Sequence, residues 1–343
     1  MRILVVDDSS FMRKVISDML NSDPEFTVVG TARDGFDALE QIEKLHPDVI
    51  TLDVTMPRMD GLTALKHIMK ECPLPVVMLS SFTREGAETT LKALEYGAFD
   101  YVLKPSGAVS FDMYKVQEEL IGKIKAAKHM HLPKLSLPTI KSAKVSTEFS
   151  RKTILVGAST GGPPAIERIL LGLPENIPAT LIVQHMPPVF TKFFAERLSS
   201  ICKCEVKEAK DDDSIVANRA LIAPGGFHMV VGTDEKVHLN QEPPLHGVRP
   251  AVDPMMKSAA NVFGSQTVGV LLTGMGQDGA QGMQAIKQNG GFTIAQDEST
   301  SIVFGMPKAA IALNCADNVL PLQQISTEIM RICQKQTTQP KSK

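Results

Sequence analysis

The chain has 343 residues, of which 43% are hydrophobic and 22% charged, and its formal net charge is −2. These values are typical of a globular protein of about two domains, and the near-neutral charge argues against a dedicated nucleic-acid binder. No apolar run reaches the roughly 18 residues that cross a membrane, and the early acids Asp7 and Asp8 argue against a signal peptide. The five scattered cysteines favour reduced thiols in a cytoplasmic protein.

Short apolar runs alternate with helical patterns from Met1 to about residue 122. Five β-branched-rich runs predict buried strands: Ile3–Val6, Thr27–Val29, Val49–Leu52, Val76–Leu79 and Tyr101–Leu103. Amphipathic stretches between them predict helices, the first of which has Ser9 or Ser10 as its N-cap. Five such βα units predict a doubly wound, flavodoxin-like parallel sheet with helices on both faces.

The composition changes in residues 123–152, where eight lysines or arginines face a single acid, Glu148. Prolines at 133 and 138 interrupt the segment, and no hydrophobic period survives beyond Lys128. We therefore predict a basic linker at 123–152 between domains at 1–122 and 153–343.

A second alternating pattern begins at Thr153. Its predicted strands are Thr153–Val156, Thr180–Val183, Leu221–Ile222, Val268–Leu272, Phe292–Ala295 and Asn318–Leu320. Its predicted helices are Pro163–Leu171, Phe190–Ser200, Asp253–Val262, Gly279–Gln288 and Pro307–Leu313. The fold class is therefore α/β with two doubly wound parallel sheets, the second one Rossmann-like.

Polar residues follow the predicted strands of the first domain. Asp7 and Asp8 follow the first strand and Asp53 closes the third, so three carboxylates are expected in one crevice at the sheet edge. Oxygen ligands of this kind favour Mg²⁺. Ser80 and Lys104 end the fourth and fifth strands, where a hydroxyl and an ammonium would contact a phosphoryl group on Asp53.

These residues resemble the receiver domain of two-component response regulators over about residues 1–120. The matching segments are Val5–Ser9, Asp53–Gly61, Ser80-Ser81 and Leu103–Pro105. The resemblance implies that Asp53 accepts phosphate from a sensor histidine kinase. It also implies roles for the surrounding residues: Mg²⁺ held by Asp8, Asp53 and the carbonyl of Thr55 with Asp7 assisting through water, and a phosphoryl switch formed by Ser80, Lys104 and Tyr101.

A serine lies in a glycine-rich turn at the start of the second domain. Gly157-x-Ser159-x-Gly161 fits a nucleophile elbow between a strand and a helix. A phosphate-binding loop is the rival interpretation, but no lysine follows the glycines. The next strand also ends in Gln184-His185 rather than in the acid that binds a ribose.

A serine nucleophile needs a base and an orienting acid. His185 follows the strand next in sequence to that of Ser159, whereas the other histidines of this domain, His228, His238 and His246, lie in loops or a variable polar region. Asp278 follows a third strand and is our predicted acid, although it could instead cap a helix. The weaker competitors for this role are Asp253 and Asp211 to Asp213, which no clear strand precedes.

The second domain resembles CheB-type protein-glutamate methylesterases. The matching segments are Gly157–Gly162, Gln184–Pro187, Ala223–Gly225, Arg249–Asp253, Leu272–Gly279 and Phe304–Pro307. The resemblance implies a cytoplasmic hydrolase whose catalytic residues are Ser159, His185 and Asp278 and whose hydrolase domain needs no cofactor. It also implies that phosphorylation of the receiver domain activates this hydrolase. Its expected substrates are glutamyl methyl esters of chemoreceptors, with deamidation of receptor glutamines as a second reaction.

The oxyanion of this reaction needs backbone N–H donors, and Thr160 and Met275 are our candidates. The competing hypothesis is a response regulator whose second domain only binds an anion or a protein. A nicotinamide-dependent oxidoreductase is disfavoured by the missing ribose acid, and DNA binding by the lack of a basic helix-turn-helix pattern.

Overall fold

The computed structural model describes residues 1–105, 110–128 and 151–334, with side chains omitted at 110–112. The chain divides into two units, Met1–Lys134 and Leu135–Lys343. Most of the predicted linker, residues 129–150, lies outside the described residues. The first six residues of the predicted linker are described, and five of them, 123–127, belong to a helix that ends at Ala127.

The first unit contains a five-stranded, all-parallel sheet. Its strands are β1 Arg2–Val6, β2 Thr27–Ala32, β3 Val49–Asp53, β4 Val76–Ser80 and β5 Asp100–Leu103. Its helices are α1 Ser10–Asn21, α2 Gly35–Leu45, α3 Gly61–Glu71, α4 Arg84–Glu95 and α5 Ser110–Ala127. The strand order is β2-β1-β3-β4-β5, so the order reverses between β1 and β3.

Side-chain caps fix where these helices begin. The Ser9 hydroxyl accepts a hydrogen bond from the Met12 N–H at the start of α1, as one of the two predicted caps. Asp34, Asp60 and Thr83 cap the next three helices in the same way. Because each cap directly follows a strand or its loop, the polar ends of the helices gather at the carboxyl edge of the sheet.

The second unit contains a seven-stranded parallel sheet and a hairpin. The sheet strands are β6 Thr153–Ala158, β7 Ala179–Gln184, β8 Glu205–Glu208, β9 Arg219–Ile222, β12 Thr267–Leu271, β13 Phe292–Gln296 and β14 Asn318–Leu320, and the hairpin strands are β10 His228–Val231 and β11 Val237–Asn240. The helices are α6 Gly162–Gly172, α7 Phe190–Ile201, α8 Val252–Phe263, α9 Ala280–Gln288, α10 Met306–Ala312 and α11 Leu322–Cys333.

The strand order of this sheet is β14-β13-β12-β6-β7-β9-β8, so its order reverses between β6 and β12. The predicted α/β class with two parallel sheets is confirmed. The prediction missed β8, the hairpin and α11. The edge strand β8 is the sequence Glu205-Val-Lys-Glu208, with one fully buried residue, so it lacks the apolar run that marks a buried strand.

Buried aliphatic residues of the central strands form both cores. β3, β4, β6, β7 and β12 are buried along their whole length, as expected for parallel strands covered on both faces. All five cysteines are free thiols. Among the described residues, no helix has the length and apolar character of a membrane span.

Candidate active site and phosphorylation site

The turn after β6 exposes Ser159 at the point where the strand order reverses. Gly161 has a φ of 75°, a left-handed conformation that glycine adopts without strain. The Ser159 N–H donates to the Thr273 carbonyl beyond β12 at 3.0 Å, and the Ser159 carbonyl accepts from the Gly162 N–H at 2.8 Å. These bonds hold the strand–turn–helix geometry of a nucleophile elbow, with Ser159 partly exposed.

His185 lies beside Ser159 because β6 and β7 are neighbouring parallel strands in register. Ala158 pairs with Gln184, and the His185 N–H donates to the Ala158 carbonyl at 3.1 Å. The next residue of each strand is therefore Ser159 on one side and His185 on the other. The predicted position of His185 at the edge of the sheet beside Ser159 follows directly from this pairing.

Asp278 completes the group from the loop after β12. Its Oδ2 lies 2.7 Å from Nε2 of His185. It also accepts three backbone N–H bonds, from Val252 at 2.6 Å, Asp253 at 3.0 Å and Gly279 at 2.9 Å. Val252 and Asp253 are the first two residues of α8, so Asp278 occupies the N-terminus of that helix.

This environment keeps Asp278 ionised. Burial alone would raise the pKa of Asp278, but the hydrogen bond and charge of His185 oppose this rise. Together with the Val252 and Asp253 N–H groups, they hold the pKa below the ordinary aspartate value. Asp278 therefore remains a carboxylate that lies at hydrogen-bond distance from the imidazole.

His185 uses one ring nitrogen for its contact with Asp278. Because Nε2 faces Asp278, Nδ1 is the ring nitrogen that this carboxylate does not occupy. Within the described residues, the Ser159 hydroxyl forms no hydrogen bond with His185. Bonds of this kind are often long in enzymes without substrate.

The loop that follows β12 packs directly against the nucleophile. A Cβ on Gly274 would lie 2.8 Å from the Cβ of Ser159, so only glycine lets the loop approach this closely. The next residue, Met275, is 43% exposed. Thr160, the other predicted oxyanion donor, follows the serine and is buried. Both candidate donors therefore come from backbone that adjoins Ser159.

Two residues that support this group were missed by the sequence analysis. The buried Gln184 side-chain amide donates to the carbonyls of Ser159 at 2.9 Å and His185 at 3.3 Å. The Thr273 hydroxyl donates to the Thr160 carbonyl at 2.9 Å. The sequence analysis used Gln184 to argue against a ribose site and as part of a matching segment, but assigned its side chain no contact.

The competing candidates of the second domain have other contacts. His228 bonds the Ala251 N–H and the Pro243 carbonyl, and His238 lies among the exposed acids Asp211, Asp212 and Asp234. Asp213 pairs with Lys207 at 2.7 Å. Asp253 faces His246 at 3.6 Å. Within the described residues, Asp278 alone among these acids bonds His185.

The second group of polar residues lies in the first domain, where its strand order reverses. The Lys104 ammonium lies 2.7 Å from Asp7 Oδ2 and 2.8 Å from Asp53 Oδ2. Asp8 is exposed beside them, and the three aspartates have ligand atoms within 4.8 Å of one another. An all-oxygen donor set of this size fits Mg²⁺.

Burial and charge act in opposite directions on Asp53. Burial raises its pKa above the ordinary value, the neighbouring Asp7 charge adds to this rise, and Lys104 opposes it. For Lys104, burial would lower the pKa, but the hydrogen bonds and charges of Asp53 and Asp7 raise it above the usual lysine value. Lys104 therefore remains a cation that neutralises part of the acidic group.

The other residues predicted for the phosphoryl switch lie on β4 and β5. The buried Ser80 hydroxyl accepts from Thr90 at 2.8 Å and faces the Gly86 carbonyl at 3.3 Å. Tyr101 is buried, and burial with the charges of Asp100 and Glu119 raises its phenol pKa well above the ordinary value. The Thr55 N–H lies 3.4 Å from Asp53 Oδ1.

Comparison with known proteins matches the two parts of the chain that contain these groups to two domain families. The CheB methylesterase profile matches residues 154–329, and the response regulator receiver profile matches residues 3–111. A protein-glutamate methylesterase/protein-glutamine glutaminase of Pyrococcus abyssi is 52% identical, over 96% of this chain and 93% of its own length. One of Halalkalibacterium halodurans is 46% identical over 97% and 99%.

A solved structure agrees with the sequence comparisons. The Thermotoga maritima CheB methylesterase catalytic domain aligns with a TM-score of 0.52 and 42% identity, covering 53% of this chain and 99% of that domain. Since relatives match nearly the whole chain, the resemblance predicted from the sequence motifs is confirmed. The chain belongs to the CheB methylesterase family and carries a response regulator receiver domain at its N-terminus.

Proposed function

We propose that this chain is a phosphorylation-activated serine hydrolase that removes methyl esters from glutamates of chemoreceptors and releases methanol. The same site would deamidate specific receptor glutamines, since amide and ester carbonyls undergo the same acyl chemistry. The observation that carries this proposal is the His185–Asp278 hydrogen bond of 2.7 Å beside the turn of Ser159. Chemoreceptors as substrates, a histidine kinase as phosphodonor and the cytoplasm as compartment all belong to the proposal.

In the proposed acylation step, Ser159 Oγ attacks the ester carbonyl while Nδ1 of His185 takes its proton. The resulting imidazolium is stabilised by Asp278 through Nε2. It then donates the proton to the leaving methoxide, and methanol departs. The protein remains attached to the receptor through an ester between Ser159 and the glutamyl side chain.

Deacylation reverses these proton transfers with water as the nucleophile. His185 removes a proton from water, which attacks the glutamyl–serine ester, and the proton then returns to Ser159. The products are a glutamate carboxylate and free enzyme. With a glutamine side chain, the first leaving group would be ammonia instead of methanol.

The oxyanion of each tetrahedral intermediate needs fixed donors. We assign this role to the backbone N–H groups of Thr160 and Met275, which flank Ser159 on the elbow and on the Gly274 loop. One such donor typically lowers the barrier by about 3 kcal/mol. The tie between Thr273 and the Thr160 carbonyl supports this assignment, because it joins the two segments that carry the donors.

In the receiver domain, we propose Asp53 as the phosphoryl acceptor. Asp8, Asp53 and the Thr55 carbonyl would hold Mg²⁺, with Asp7 acting through water. When bound, Mg²⁺ neutralises charge on the phosphoryl oxygens. Lys104 would pair with the phosphoryl group, Ser80 would turn from Thr90 and Gly86 toward it, and Tyr101 would follow as the aromatic switch residue.

Methanol release from methylated receptor tests both halves of the proposal. We expect Ser159→Ala to lower turnover by about 10³-fold or more, whereas Ser200→Ala, at an exposed helix end, retains it. Addition of Mg²⁺ and a small phosphodonor should raise turnover of the wild type. Asp53→Asn should keep the basal rate and lose this rise, while the exposed Asp18→Asn on α1 behaves as wild type.

Different failures have different meanings in this experiment. Turnover that survives in Ser159→Ala contradicts the serine mechanism. No methanol from any variant, although Asp53 becomes phosphorylated, contradicts the receptor esterase and favours a switchable binding domain. A phosphodonor response that persists in Asp53→Asn contradicts the assignment of Asp53.

A further inference from the structure

Asp253 is a buried carboxylate that the proposed reaction does not use. It is the second residue of α8, is 1% exposed, and has a carboxylate oxygen within 4.8 Å of a carboxylate oxygen of Asp278. Burial raises its pKa, the Gly282 N–H opposes this rise, and the charge of Asp278 adds to it. A carboxylate held in this position next to another carboxylate costs free energy of folding, so its contacts with the catalytic group need an explanation.

Asp253 and Asp278 each accept hydrogen bonds from the N-terminal turn of a helix next to the other: Asp278 binds α8, which contains Asp253, and Asp253 binds α9, which begins just after Asp278. The Asp278 side chain accepts the first two N–H groups of α8, those of Val252 and Asp253. The Asp253 side chain in turn accepts the Gly282 N–H at 2.7 Å, in the first turn of α9. Because α9 begins two residues after Asp278, this exchange fixes the loop that carries the triad acid.

The sequence around this exchange permits the close approach of the two helices. A Cβ on Gly282 would lie 2.5 Å from the Cβ of Met256, so glycine is needed where α9 meets α8. The third residue of α8, Pro254, has no N–H group. The N–H groups at the first two positions of α8 are both bound by Asp278.

The second oxygen of Asp253 faces a histidine. Within the described residues, Asp253 Oδ2 is buried without a hydrogen-bond partner and lies 3.6 Å from Nε2 of His246. His246, Asp253 and Asp278 could be considered as cation ligands. However, Asp278 already accepts four hydrogen bonds, which occupy both lone pairs of each oxygen. The arrangement fits a positioning role better than a metal site.

We infer that Asp253 is a positioning residue of the hydrolase, which holds Asp278 against His185 through the reciprocal capping of α8 and α9. This inference rests on the proposed function, because it assigns Asp253 an effect on the same triad. Asp253 does not touch the substrate. Loss of its Oδ1 would release the first turn of α9 and let Asp278 rotate away from Nε2 of His185.

The test compares Asp253→Ala with Asp253→Asn in the full-length, phosphodonor-activated protein, using methanol release from methylated receptor. We expect Asp253→Ala to lower kcat by about 30- to 100-fold with little change in KM, because the triad is misplaced while binding is not. Asp253→Asn keeps an oxygen for the Gly282 N–H and should stay within about threefold of wild type.

The acid limb of the kcat/KM pH profile provides a second readout. A misplaced Asp278 stabilises the His185 imidazolium less, so in Asp253→Ala this limb should move to lower pH by about one unit. The titratable groups around Asp253 are Asp278, Lys257 on its own helix and His246 from the preceding loop. His246→Gln therefore accompanies the series, and we expect its acid limb to remain that of the wild type.

Asp317→Ala is the matched control. Asp317 also accepts a backbone N–H, that of Thr293 on β13, and pairs with Lys287, but it does not contact the triad. We expect this variant to lose thermal stability without a change in the acid limb. The proton NMR signal of the His185–Asp278 bond should persist in Asp317→Ala and Asp253→Asn, and it should shift or disappear in Asp253→Ala.

Several results would overturn the inference. Wild-type kcat and acid limb in a folded Asp253→Ala protein would show that the cap is only structural. If Asp253→Ala does not fold, Asp253→Asn decides, and a loss of kcat as large as in Asp278→Asn would mean that the Asp253 charge itself is required. Wild-type and Ser159→Ala proteins run in parallel separate these outcomes from failure of the proposed function, since the latter leaves the wild type inactive.

Discussion

The receiver and hydrolase domains both place their polar groups where the strand order of a parallel sheet reverses, but they deliver these groups differently. In the receiver, Asp53 and Ser80 are the last residues of their strands, and Lys104 directly follows β5. In the hydrolase, Ser159 and His185 directly follow strands, whereas Asp278 comes seven residues after the end of β12 at Leu271. The third member of the hydrolase site therefore depends on a loop.

The consequence is a difference in how each acidic group is stabilised. The receiver carboxylates Asp7 and Asp53 share one side-chain cation, Lys104, and their backbone N–H donors lie only two residues further along the chain. Asp278 is stabilised by His185 and by backbone N–H groups of α8, a helix distant in sequence. The acids at the strand ends of the receiver are thus paired with a lysine at another strand end. The loop residue Asp278 is instead held by backbone N–H groups of the helix α8. The variants below, in order of decreasing effect, test this contrast.

The largest effect is expected for Asp278→Asn. The amide can keep much of the shape, but it cannot stabilise the His185 imidazolium, so kcat should fall by about 10⁴-fold. Methanol release measures this loss, and Asp317→Asn serves as control because Asp317 lies away from the triad. A decrease in kcat of less than about tenfold would show that His185 works without the negative charge of Asp278.

The receiver counterpart is Lys104→Met. Without the ammonium, the buried Asp7 and Asp53 carboxylates face one another unpaired, and unfolding free energy should fall by about 3 kcal/mol. Chemical denaturation at neutral pH without Mg²⁺ measures this change, and added Mg²⁺ should reverse part of it. The exposed Lys44, paired with Glu40, gives the control variant Lys44→Met, which should be nearly neutral. Equal effects of the two variants would contradict the role of Lys104.

An intermediate effect is expected for Gln184→Met. Methionine fills similar space but cannot donate hydrogen bonds to the Ser159 and His185 carbonyls. The segments that carry Ser159 and His185 then lose the side chain that bonds both of them. We expect kcat to fall by about tenfold to 30-fold with KM little changed. Gln288→Met, at the exposed end of α9, is the control. A normal kcat in Gln184→Met would mean that the strand register alone sets the distance between nucleophile and base.

The smallest effect concerns Asp53→Asn and is a gain of stability. Burial raises the folded-state pKa of Asp53, so its ionised form destabilises the folded protein once the pH exceeds the unfolded-state pKa. At neutral pH, Asp53→Asn should therefore raise Tm by a few degrees. This gain should shrink as the pH falls through the folded-state pKa and vanish below the unfolded-state value. Calorimetry that shows an unchanged or lowered Tm at neutral pH would contradict the burial argument.

Particular residues show how far the sequence could predict this structure. The continuous apolar strands were found because buried parallel strands leave a clear pattern, and Asp7, Asp53 and Lys104 followed from their positions at strand ends. β8 and the β10–β11 hairpin were missed because short, half-polar strands resemble loops. The last hydrophobic period of the first domain was expected to end near Lys128, and α5 ends at Ala127.

The sequence by itself determined the fold class, the family and the residues at the ends of strands, because apolar periodicity and local turn motifs are local properties of the chain. The sequence ranked Asp278 above Asp253 as the acid, but only the tertiary structure shows that Asp278 bonds His185 while Asp253 bonds the first turn of α9. It also assigned Gln184 its two carbonyl partners. Contacts of this kind depend on backbone groups of segments that are distant in sequence, and no local pattern records where those segments meet.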